Sequence, residues 1–218
     1  MVLLPNWFKM VEDIQLYASL GVSGLDWEGN SAVATADLDA MRAWVCAQLS
    51  WDASRDGYSL IEEFLVNVYS KGAAGYIMQH MKAYTDEVDR QNYYVTPADP
   101  PTAGYFTPAV IYTSLTALDN AIQGATAASE TMPRATVVKM IKGLQISPWF
   151  LALSNWEALC AYTTTHSLPW PPPLEASRHM SLASFRSNVT TYLGPLTLQT
   201  EATALAAMNS SNDLSCGM

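Results

Sequence analysis

From Asn6 to Leu20 the apolar residues Trp7, Phe8, Met10, Val11, Ile14, Leu16, Tyr17 and Leu20 recur mostly at three- and four-residue intervals. Glu12 and Asp13 lie in the early turns, Pro5-Asn6 opens the segment and Gly21 closes it, which predicts an amphipathic helix. The pattern then changes: Val22 to Trp27 is a short run with one charge at its end, as a strand buried on both faces reads. A helix, a glycine turn and a buried strand form the αβ half of a βαβ unit.

Beyond residue 35 the helical period dominates. Ala36–Leu49, Ser59–Tyr69, Gly72–Tyr94, about Thr107–Ser129 and Pro133–Thr165 are predicted helices, and Pro148 should kink the last or mark a join within it. Leu168-Pro169-Trp170-Pro171-Pro172-Pro173 reads as an extended connector. Weaker helical patterns follow at Glu175–Tyr192 and Leu196–Met208. The predicted fold class is therefore mainly α, with a terminal βα piece at residues 1–34 and an α-helical domain at 35–218. A lone buried strand cannot satisfy its own backbone groups, so either it pairs with a weak strand elsewhere in the chain or its sheet neighbours lie ahead of Met1.

Composition narrows the chemistry. With 50% hydrophobic and 14% charged residues, the 218-residue chain can bury a sizeable core. Its formal charge of -9, without a Lys/Arg cluster, argues against nucleic acid and anionic membrane as partners. No apolar run approaches the ~18 residues of a membrane span. Cys46, Cys160 and Cys216 are too few and too widely spaced for a metal knuckle or a disulfide scaffold, and their odd number leaves at least one thiol unpaired. His80, His166 and His179 lack metal-spaced partners, and neither a G-x-S-x-G elbow nor a phosphate-binding glycine loop occurs. Metal and cofactor are thus both predicted to be none. Sequons at Asn188-Val189-Thr190 and Asn209-Ser210-Ser211 would suit a secreted protein but also arise by chance.

Three stretches carry a family resemblance: LLPNWFKMVEDIQLYASLGVSGLDWEGN, AMRAWVCAQLSWDAS and LIEEFLVNVYSKGAAGYIMQHMKAY. Together they resemble the C-terminal portion of the family known as domain of unknown function 4838, most densely over Leu4–Tyr84 and more weakly over Val137–Leu153. The barrel of that family resembles those of glycoside hydrolases such as α-glucuronidases and β-hexosaminidases. The resemblance implies that residues 1–30 are the last helix and strand of a (β/α)8 barrel, followed by an appended helical region. The earlier βα units are not among these residues, so it also implies a chain that is not catalytically complete by itself.

In such barrels chemistry is assembled at the C-terminal ends of the strands. This makes the loop Asp26-Trp27-Glu28-Gly29-Asn30 the candidate site. Glu28 is the candidate catalytic acid, Trp27 an indole platform for a sugar ring, and Asp26 and Asn30 further substrate contacts. The same acids also suit a solvated loop that merely ends a strand. Trp51 reads as a core or interhelix anchor, Asp52 as a cap or turn residue, Trp44, Trp149 and Trp156 as core, and Trp170 as a staple holding its connector to the helical body. The expected partners are a glycan substrate and a second copy or partner chain covering the barrel-facing surface. Alternatives are a helical scaffold protein and a carbohydrate-binding module without hydrolysis.

Overall fold

The structure, a computed structural model, describes residues 3–27, 38–96, 98–125, 132–175 and 177–193. Over these residues the protein is mainly α, with helices α1 (Lys9–Ser19), α2 (Asp39–Trp51), α3 (Gly57–Tyr69), α4 (Lys71–Gln91), α5 (Pro108–Gly124), α6 (Arg134–Leu144), α7 (Ile146–Ser154), α8 (Trp156–Thr165) and α9 (Arg178–Leu193). The expected domain division at residues 34 and 35, and the helix expected at Leu196–Met208, lie outside the described residues.

The packing runs in sequence order from α1 to α2, α3 and α4, and then centres on α5, which meets α4, α6, α7 and α8, while α9 closes against α6 and α7. One continuous apolar core joins them, from Leu3, Trp7 and Ile14 through Ile77 and Leu118 to Phe185 and Val189. The segment before α1 is anchored by Arg42 of α2. Its guanidinium donates to the Leu4 carbonyl at 2.5 Å and to Asp39 at 3.2 Å, and it stands 5.4 Å from the centroid of the buried Trp7 ring. Such charge-assisted bonds, with a cation over an indole, fix α1 against the body.

Two expectations need correction. The strand predicted at Val22–Trp27 is not formed; these six residues have no regular secondary structure and are exposed throughout. A strand draws its hydrogen bonds from neighbouring strands, and among the described residues there is none, only isolated bridge positions at Met132 and Ser177. The barrel-type reading of 22–27 rested on hydrophobicity, which a buried strand and an uncovered interface share.

The second concerns Pro148. The segment Pro133–Thr165, expected to be kinked or joined at Pro148, is three helices, joined at Gln145 and Asn155 rather than at the proline. Pro148 falls in the first turn of α7, where a missing N–H costs nothing. The second joint is pinned by Asn155, whose side-chain amide donates to the carbonyls of Leu151 and Pro101, each at 2.9 Å. Trp149 and Trp156 are core as expected, and Trp170 staples its connector by donating to the Glu175 carbonyl at 2.8 Å with its ring 5.0 Å from that of Trp156. The first sequon sits inside α9, where Asn188 donates to the Ser184 carbonyl at 3.0 Å and Val189 is fully buried. The second lies outside the described residues.

Candidate functional site

Helix α1 ends in a Schellman turn. Gly21 takes φ of 78°, its N–H reaches the Ala18 carbonyl at 3.1 Å, and the Val22 N–H reaches Tyr17 at 3.0 Å. Only a residue tolerant of positive φ permits this reversal, and it directs the chain along the surface rather than into the core. The consequence is an uncovered apolar face. Leu16, Tyr17 and Leu20 on the last turns of α1 continue into Val22, Leu25 and Trp27, all exposed, with Leu20 at 70%.

This face ends at the C-terminal end of α2. The Trp27 indole N–H donates to Ser50 Oγ at 3.4 Å, which sets the ring beside the residue preceding Trp51. Trp51 is 93% exposed, so the anchor role expected for it is corrected. Its helix offers the reason: Met41, Val45 and Leu49 form the buried stripe of α2, and Trp51 falls about 200° around the axis from Leu49. Trp44 does pack inward, 5.8 Å from the Phe64 ring.

The turn after Trp51 is tightly held. Asp52 accepts from the Ser54 N–H at 3.0 Å and its hydroxyl at 2.6 Å, and these bonds hold its carboxyl below the usual range. Arg55 is bonded to Gln48 and paired with Glu63 at 3.6 Å, while Gln15 of α1 donates to the Arg55 carbonyl at 3.2 Å. Asp52 is thus a turn residue, as the sequence predicts. Of the predicted site residues, Asp26 and Trp27 lie together on the exposed rim of this region. Glu28 and Asn30 lie outside the described residues, as does any separation between Glu28 and a second carboxylate.

A second concavity, about 280 Å³, opens between α1, α3 and α4, where the Phe8 and Tyr58 rings stack at 5.2 Å beneath Lys9, Glu12, Lys82, Thr85, Asp86 and Asp89. Lys9 is internally neutralised by Glu12 at 3.0 Å and Asp13 at 3.5 Å. Burial, and then the carboxylates of Glu12, Asp89 and Asp56, raise the Tyr58 hydroxyl above its ordinary range. Sequence reasoning missed this cleft, because its lining comes from three helices at unrelated spacings. Among the described residues, no group of three His, Cys, Asp or Glu side chains could hold a metal, and no helix is long and apolar enough to cross a membrane.

No curated protein and no solved structure matches the chain. A family model does match part of it: residues 1–82, which carry α1, α2, α3 and the first half of α4, are similar to the family described as a domain of unknown function, DUF4838.

Proposed function

We propose that the chain is the C-terminal portion of a carbohydrate-active, glycoside-hydrolase-like protein and is not catalytically complete by itself. The observation that carries this reading is the uncovered apolar run from Leu16 to Trp27, in the order helix, glycine turn, apolar segment. In a (β/α)8 barrel the last helix and strand are covered by their neighbours, and the residues just past the strand reach the catalytic rim. Here the apolar surface stands open while Asp26 and Trp27 terminate it. Glu28, next in the chain, is the assigned acid; it needs a second carboxylate at ~5 Å or ~6.5 to 9.5 Å, supplied by another segment.

A helical scaffold is the second reading, favoured by the aliphatic character of Leu16, Leu20, Val22 and Leu25 on the same face. Hydrolysis separates the two. A longer chain carrying ahead of residue 1 the barrel units this reading calls for is expected to cleave one member of a panel of 4-nitrophenyl glycosides, and Glu28→Gln in it to abolish turnover. Upstream sequence without βα units, or no cleavage of any glycoside, counts against the enzyme and for the scaffold, whereas activity indifferent to Glu28→Gln overturns the role of Glu28 alone.

A further inference from the structure

We propose that Trp51 is a second sugar-stacking residue, forming with Trp27 a two-indole platform for a neutral oligosaccharide. The inference rests on the carbohydrate-active reading above and adds to it a residue, a subsite and a class of sugar.

Single exposed hydrophobic residues are ordinary. Trp51 differs in its setting. Its helix end is fixed from three sides, by Asp52 with Ser54, by Arg55 with Gln48 and Glu63, and by Gln15 of α1 against the turn backbone. The 93% exposed indole is therefore carried on a firm support. The Trp27 bond to Ser50 brings the second indole to the residue beside it, and among the described residues no other aromatic ring packs on either. Two solvent-exposed indoles in one neighbourhood, Trp51 at 93% and Trp27 at 42%, suit the C–H faces of successive pyranoses.

The polar groups around them select the ligand. Aliphatic residues crowd the other end of this face, whereas the two tryptophans stand among Ser50, Asp26, Asp52 and Ser54, which can accept from or donate to sugar hydroxyls. Both charges contributed there are negative, and the cation of the same turn, Arg55, is already engaged by Gln48 and Glu63. Uronates and sulfated sugars are repelled, and uncharged chains are not.

The test uses the 218-residue chain and a set of neutral hexasaccharides (cello-, xylo-, malto- and chitohexaose) with hexagalacturonate as the charged comparator, followed by calorimetry and tryptophan fluorescence. One or more neutral chains should bind and hexagalacturonate should not. Trp51→Ala and Trp27→Ala should each weaken binding about fivefold to tenfold, as expected for loss of one stacked ring. Trp51→Tyr should retain most of the affinity, and Tyr94→Ala, which removes a different exposed ring past α4, should change nothing. Thermal melting controls for folding. If a neutral chain binds equally to wild type and Trp51→Ala, the inference is overturned while the carbohydrate reading stands. If wild type binds none of them, or if Trp51→Ala only suppresses self-association, the platform is overturned and the scaffold reading gains.

Discussion

His80 shows how one side chain is committed by its surroundings. It is wholly buried on α4, 5.9 Å from the Trp7 ring and 5.6 Å from Tyr84, with Nδ1 at 2.8 Å from Ser114 Oγ on α5. Burial lowers its pKa from 6.5 to about 3, so the folded protein keeps it neutral where the unfolded chain already takes up a proton. Stability from this group is therefore complete above pH 6.5 and falls as the pH drops from there toward 3, by about 1.4 kcal/mol per unit. Urea denaturation between pH 7.5 and 5 should show a steeper loss for wild type than for His80→Gln; parallel slopes would refute the assignment. Ser114→Ala leaves the imidazole without its partner and should cost about 1–3 kcal/mol at neutral pH. Half of this was legible in the sequence, where Ala73, Ile77, Met81 and Tyr84 mark the apolar stripe on which His80 lies. What no sequence pattern supplies is Ser114, which reaches it from another helix. Trp51 is the converse case, an aromatic two residues past the last buried position of its helix, where hydrophobicity alone points the wrong way.

Among the elements, helix existence was readable, and the junctions within residues 133–165 were not. The six segments predicted before the proline-rich connector rest on apolar period, which tertiary packing preserves, whereas junctions depend on contacts between helices. Ser70 is an instance: it ends α3 and begins α4 at φ of 85° and ψ of 153°, a region proper to glycine, and its buried hydroxyl has no hydrogen-bond partner among the described residues. Ser70→Gly relieves both costs against the entropy that glycine adds to the unfolded chain, and should stabilise by about 1 kcal/mol in chemical denaturation. Destabilisation would show that the hydroxyl is used. Close helix approaches are equally silent in sequence. A Cβ on Gly57 would run into the Val11 methyls of α1, and one on Gly124 into the backbone carbonyl of Gly72, which joins α5 to α4. Both Gly57→Ala and Gly124→Ala should cost about 1–3 kcal/mol. Adding Val11→Ala should restore part of the first loss, because a side chain yields where a backbone cannot. Equal rescue of both by that substitution would contradict the packing. The missing strand belongs at this scale too, since Val22, Leu25 and Trp27 in a six-residue run suggest burial but not which chain buries them.

At the scale of the molecule, the open question is what covers the surface from Leu16 to Trp27. Two forces compete in the isolated chain. Its formal charge of -9 keeps copies apart, over a range of about 10 Å at 0.1 M salt, while the exposed Leu16, Leu20, Val22 and Leu25 draw them together. Raising the salt screens the repulsion and leaves the apolar attraction intact, so self-association should grow between 50 mM and 500 mM NaCl. Leu16→Glu with Leu20→Glu removes the attraction and adds two charges, and should yield a monomer by light scattering under both conditions. Neither side chain contributes to the core, so the thermal midpoint should hardly move. A wild-type chain that stays monomeric at tens of micromolar protein and 500 mM NaCl would mean that this surface does not behave as an uncovered interface. The barrel-derived reading would then lose the observation on which it rests, because a helix and segment that need no cover need no missing neighbours.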